Sequence, residues 1–151
     1  MGVGWRYFIT FNTWKKFELS FQARQIALDT CLFFNNQRYK VFIVVVMPDH
    51  VHLIVQPLLK TESKFWSLSE IMKSMKGYSA KKIAAAMNHI GVVWQDERYD
   101  RIVRDAHEFE NFWNYIRLNP VRAGLSETPE QYPFLWQQPS LDLSSNQFPY
   151  L

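Results

Sequence analysis

The sequence predicts an α+β fold: one antiparallel sheet with two helices on one face and a further helix near the C-terminus. Three observations lead there. Four short segments are rich in β-branched and aromatic residues. Three longer segments repeat their apolar residues at helical spacing. Proline, glycine or helix-capping residues separate the two kinds.

Tyr7 to Asn12 reads as the first strand. From Ser20 the period lengthens, and Ala23, Ile26, Ala27, Cys31 and Phe34 form a helical stripe that makes Cys31 a core thiol. Tyr39 to Val46 is an apolar run of the kind buried on both faces of a sheet. Met47-Pro48-Asp49 supplies a tight turn, and His50 to Gln56 should pair back as a hairpin. Pro57 to Trp66 is a loop. Ser67 and Glu70 then make a capping box for a helix whose stripe is Leu68, Ile71, Met72, Met75, Ile83, Ala86, Met87 and Ile90, with Gly91 as its stop. A strand should lie within Trp94 to Val103, centred on Tyr99 to Val103. Asp105 and Glu108 open a last helix with Phe109, Phe112, Trp113 and Ile116 inward, and Pro120 should end it. Strand, helix, strand, strand, helix, strand is the split βαβ, or ferredoxin-like, plan with one added helix. Residues 1–125 make the expected domain. From Ser126 the prolines point to an irregular tail running to Leu151.

Composition narrows the function. The 151 residues suit one domain with a proper core. At 48% hydrophobic and 21% charged the chain is neither disordered nor fibrous. Its longest apolar run, Val41 to Met47, is too short for a membrane span, and no basic segment followed by an apolar one suggests an export signal. A single cysteine suits a reducing cytosol. Aromatic residues reach 17% and the net charge is +3, a balance that leans toward nucleic acid. A Walker loop, a dinucleotide fingerprint, a cysteine pair for zinc and a G-x-S-x-G elbow are all missing from the sequence.

His50-Val51-His52 is the sharpest local feature. Residues two apart on a strand share a face, so both imidazoles point the same way. Such a pair suits metal chelation, although two polar residues on a solvated face have the same spacing. On the last helix, Tyr115 and Asn119 lie four apart, off the core stripe, and could project toward a site beside the sheet. A half-exposed tyrosine and an asparagine before proline also need no function. His89 and His107 read as surface residues. Lys73, Lys76, Lys81 and Lys82 form either a solvated helix face or a phosphate-contacting one. Arg98, Arg101 and Arg104 make a second basic cluster, and Arg117 and Arg122 lie near the candidate site.

Met47-Pro48-Asp49-His50-Val51-His52-Leu53, followed downstream by Tyr115-Ile116-Arg117-Leu118-Asn119-Pro120-Val121-Arg122-Ala123-Gly124-Leu125, resembles a single-tyrosine HUH transposase. The chain is most similar to the REP-associated tyrosine transposase branch, also through Trp94-Gln95, Tyr99-Asp100 and Arg104. The resemblance runs from about Tyr7 to Leu125. It implies metal-dependent cutting and rejoining of single-stranded DNA through a 5′-phosphotyrosine, in transposition of hairpin-bearing elements. It makes Tyr115 the nucleophile and assigns His50, His52 and Asn119 to a Mg²⁺ or Mn²⁺ ion. Asn119 departs from the glutamine of related branches and is one methylene shorter. Lys73, Lys76, Arg104, Arg117 and Arg122 become the expected DNA contacts. The implied partner is single-stranded or hairpin DNA, with no membrane partner and with a homodimer as one assembly found among relatives. The expected location is the cytoplasm, at the nucleoid. Two other readings stand beside this one: a ferredoxin-like nucleic-acid-binding module without catalysis, and a metal-dependent hydrolase using the same histidines.

Overall fold

The computed structural model describes residues 4–139. In chain order the elements are β1 (Arg6–Thr13), α1 (Phe21–Phe33), β2 (Tyr39–Val46), β3 (His50–Pro57), α2 (Leu68–Met87), β4 (Trp94–Val103), α3 (Ala106–Arg122) and β5 (Leu135–Gln137). Short 3₁₀ turns occupy Trp14–Lys16 and Pro129–Gln131. The strands form one antiparallel sheet in the order β4-β1-β3-β2-β5. The first four strands therefore follow the split βαβ plan, with β1 and β3 central.

Strand alternation divides the side chains between two faces. Ile9 and Phe11 on β1, with Val51, Leu53 and Val55 on β3, face α1 and α2. On that side Phe11 meets Trp94 edge-on, and the Trp94 indole N–H donates to the buried Ser79 hydroxyl of α2 at 2.9 Å. Tyr39 of β2 donates its hydroxyl to the Cys31 carbonyl of α1 at 2.8 Å. Phe8, Thr10 and His52 face the other way, toward α3. Phe8 stacks on Phe112 at 4.4 Å, and Phe42, the extra residue at a bulge in β2, meets Phe109 at 5.3 Å. The sheet is thus covered on both sides, and among the described helices α3 is the one on the side that carries the histidines.

Ser20 and Asp105 cap α1 and α3, and the Ser67–Glu70 box closes both ways on α2. Four expectations need correction. Helix α2 stops at Asn88, which takes the left-handed conformation with φ 50°, so Gly91 lies beyond the end and Ile90 is 96% exposed instead of inward. Ala86 is likewise exposed. Strand β4 begins at Trp94, five residues before the predicted core of that strand, because pairing with β1 extends to Thr13.

Pro120 does not end α3, which continues to Arg122. Gly124, at φ 74°, is the stop: its N–H reaches the Val121 carbonyl and the Leu125 N–H reaches the Pro120 carbonyl, a Schellman closure. The segment from Ser126, expected to be irregular, holds β5, which pairs with the edge of β2 through Leu135, Trp136 and Gln137. Tyr132 anchors it by donating its hydroxyl to the Val46 carbonyl at 2.6 Å. Residues 140–151 of the expected tail lie outside the described residues. Among the described residues no helix is long and apolar enough to cross a membrane.

Candidate active site

The site is assembled from three elements. Strand β3 brings His50 and His52 side by side, with ring centroids 4.7 Å apart. In the register of the sheet Thr10 of β1 lies opposite His52, and its Oγ1 is 2.7 Å from the His52 Nδ1. The Asp49 carboxylate, in the turn before β3, accepts from the His50 Nδ1 at 2.6 Å. Each imidazole is therefore held by its Nδ1. Neither Nε2 has a hydrogen bond among the described residues. His52 is only 6% exposed. Burial, reinforced by the neighbouring His50, pushes its pKa down to about 3, so at neutral pH it is an uncharged imidazole.

Helix α3 closes the site from above. Its buried stripe is Phe109, Trp113, Ile116 and Pro120. Tyr115, beside this stripe and 42% exposed, is carried over the histidines, with its ring 5.3 Å from that of His52 and 6.1 Å from that of Phe8. The Arg122 guanidinium lies 5.8 Å from the Tyr115 ring. Because α3 runs through Pro120, Asn119 remains in helical register one turn beyond Tyr115, on the same side of the helix. Its side chain is partly buried and makes no hydrogen bond to either histidine.

Two imidazoles with their Nδ1 atoms engaged, and an amide one helical turn beyond Tyr115, make an open donor set. The described residues hold no group of three or more His, Cys, Asp or Glu poised around one point. Such a set does not suit a closed structural zinc site. It fits a hard divalent cation that keeps water or substrate oxygens in its shell. The Nδ1 contacts of Thr10 and Asp49 are the kind that orient metal-binding histidines.

The cations singled out from the sequence scatter. Arg122 lies beside Tyr115. Arg117 is paired with Glu130, and Arg104 is exposed just after β4. Lys73 is exposed on α2, which packs on the other face of the sheet. Lys76, also on α2, donates to the Gln95 and Asp96 carbonyls, and burial lowers its pKa. That geometry makes Lys76 a tie between α2 and β4.

Sequence reasoning missed Thr10, Asp49 and an aromatic cavity of about 530 Å³ beside the histidines, lined by Phe8, Thr10, His52, Tyr99, Asn111, Phe112 and Tyr115. The alternation Phe8, Thr10, Asn12 places Thr10 on one face of β1, but only the register shows that this face carries His52. A second cavity, of about 450 Å³ between α1 and α2, contains neither histidine nor Tyr115.

Comparison with known proteins bears on the family and the fold. The family model "Transposase IS200 like" matches residues 16–119, more than half of the chain. A Haemophilus influenzae protein named as a REP-associated tyrosine transposase is 22% identical over 102 residues, 64% of this chain. The match spans 57% of that relative's length. Among solved structures, a REP-associated tyrosine transposase bound to a REP hairpin superposes with a TM-score of 0.69 at 19% identity, covering 95% of this chain and 92% of that one. A Deinococcus radiodurans protein named as a transposase gives a TM-score of 0.55 at 20% identity, covering 74% and 87%. At these identities the two structures establish the fold. Taken with the family match, they place the HUH motif and α3 inside a recognised unit: the chain belongs to the IS200-like transposase family.

Proposed function

We propose that this protein cuts and rejoins single-stranded DNA at hairpin-bearing elements, with Tyr115 as nucleophile and His50, His52 and Asn119 holding a Mg²⁺ or Mn²⁺ ion. The observation that carries the reading is the packing of the Tyr115 ring 5.3 Å from that of His52. A half-exposed tyrosine beside two oriented imidazoles suits attack on a phosphodiester.

When bound, the ion supplies Lewis-acid polarisation of a non-bridging phosphate oxygen. The chain does the rest. The Tyr115 Oη forms a bond to phosphorus as its proton passes to solvent. The P–O3′ bond breaks, and the departing oxygen takes up a proton to become a 3′-OH. One phosphoester replaces another, so the step needs no nucleotide cofactor, and the reverse reaction rejoins strands. Arg122 sets positive charge beside the phosphate in the transition state. Thr10 and Asp49 keep the imidazoles in one orientation. The rigid core of the sheet and α3 hold the groups in place, which is the main protein contribution to such transfers.

The substrate class follows from the relatives. One is named as REP-associated, and the solved neighbour is bound to a REP hairpin. Hairpin DNA with a single-stranded flank is therefore the proposed partner, and the chromosomal compartment the proposed place of action. Of the five residues expected to contact DNA, exposed Arg104 and Lys73 are the cations away from Tyr115 left for phosphates.

The test is incubation with hairpin oligonucleotides carrying single-stranded flanks in Mn²⁺, followed by a denaturing gel and peptide mapping. A covalent adduct at Tyr115, absent from Tyr115→Phe, is expected. Cleavage without an adduct would replace this reading by that of a hydrolase. An adduct at Tyr78, Tyr99 or Tyr132 would overturn the assignment.

A further inference from the structure

The cavity beside the histidines has features that metal binding and nucleophilic attack do not require. Phe8 and Phe112, stacked at 4.4 Å, form its apolar floor. Tyr99 stands on β4 directly opposite Thr10, meets Phe8 edge-on at 6.2 Å, and leaves 54% of its surface exposed. Its outer ring face is thus available. Asn111, exposed one helical turn before Tyr115, lines the same space with a side-chain donor and acceptor. Cations flank the opening: the Arg122 guanidinium by the Tyr115 ring and the Arg101 guanidinium 5.7 Å from the Phe112 ring. Its volume of about 530 Å³ is ample for one planar aromatic group.

Resting on the strand-transfer reading above, we propose that this cavity receives the nucleobase next to the scissile phosphate. The base stacks on Tyr99, and Asn111 reads its edge. Three arguments converge. Stacking on an exposed tyrosine is how single-stranded bases are held, because every base has a π-face. An amide offering donor and acceptor side by side matches the polar edge of a base and discriminates among bases. Tyr115 and His52 line the cavity, so a base seated in it belongs to a nucleotide adjoining the reacting phosphate. Arg122 is the cation beside the opening for an adjoining phosphate, while Arg101 also pairs with Glu108 at 3.7 Å. Tyr99 and Asn111 are then the residues that select the cut site, apart from any contact with the hairpin stem.

The test separates binding from chemistry. A pool of hairpin oligonucleotides with randomised single-stranded flanks is bound in EDTA, and the bound fraction is sequenced. The wild-type protein should enrich one base at one flank position. Asn111→Ala should flatten that position and leave the others unchanged. Tyr99→Ala should lower affinity for the pool about tenfold, the order given by loss of one base–aromatic stack. Circular dichroism of both variants checks that they fold. The inference is overturned if Asn111→Ala keeps the enrichment, if Tyr99→Ala keeps the affinity, or if the wild type does not bind the pool. The same pool with Mn²⁺ judges the parent reading by itself. Adduct formation with no change in base preference in Asn111→Ala sinks the base pocket alone. Base enrichment that Asn111→Ala removes, without any adduct in the wild type, sinks the strand-transfer reading and keeps the pocket.

Discussion

Replacing Thr10 by valine preserves the shape and volume of the side chain and removes one oxygen. That oxygen is 2.7 Å from the Nδ1 of His52, a residue only 6% exposed. Valine cannot substitute as a partner, and water has little access. A buried polar atom left without a partner costs about 1–3 kcal/mol. Taking the middle, Thr10→Val should destabilise the metal-free protein by about 2 kcal/mol, a fall in Tm of about 6 °C for a chain of this size. The ring also loses the contact that sets its orientation and tautomer, and contacts of this type contribute about 10- to 100-fold to metal affinity. Urea unfolding in EDTA measures the first effect, and calorimetric titration with Mn²⁺ the second. Thr10→Ser returns a hydroxyl and should recover most of both. Unchanged stability and unchanged Mn²⁺ affinity in Thr10→Val would refute the idea that β1 holds His52 in place.

Other expectations follow from single contacts. His52 has a folded pKa of about 3 against about 6.5 when unfolded, so the unfolded chain takes up the proton first. Metal-free protein should therefore lose stability as pH falls from about 6.5 toward 3, with His52 adding at most about 1.4 kcal/mol per pH unit. Urea titrations at several pH values should show a shallower acid slope in His52→Gln, and an equal slope would contradict the burial argument. Gly124 sits at φ 74°, where a Cβ is strained, whereas Gly77 lies within α2 with open space around it. Gly124→Ala should cost about 1–2 kcal/mol and Gly77→Ala should stabilise by about 0.5–1 kcal/mol; a raised Tm in the first or a lowered Tm in the second would refute that expectation. Lys76→Met breaks the tie to the Gln95 and Asp96 carbonyls and should cost about 1–2 kcal/mol, whereas exposed Lys73→Met should change stability by less than about 0.5 kcal/mol. Denaturant midpoints of the two variants decide between a structural and a surface role.

By itself the sequence determined the order of elements and the local chemistry. Alternation in β1, β2 and β3, the stripes of the helices and the caps at Ser20, Ser67 and Asp105 are short-range features, set by neighbours within a turn or two. The pairing of His50 with His52 on one face follows from the period of a strand, and needs no partner. The HUH motif and the spacing of Tyr115 from Asn119 were legible for the same reason.

Only the tertiary structure decided what meets what. Local sequence makes Pro120 a helix end, yet burial of Pro120 and the Schellman closure at Gly124 carry α3 two residues further. That continuation keeps Asn119 on the side of Tyr115. The capacity of residues 135–137 to form a strand depends on the free edge of β2, which no local pattern reveals. Lys76 reads as a surface cation until β4 is seen to bring its carbonyls within reach. Thr10 faces His52 because β1 and β3, separated by α1 and β2, pair in one register. Packing of α3 on the histidine face of the sheet then brings Tyr115 over His52. Such contacts join residues distant in the chain, and their partners are chosen by the burial of whole faces against one another, which no stretch of sequence specifies alone.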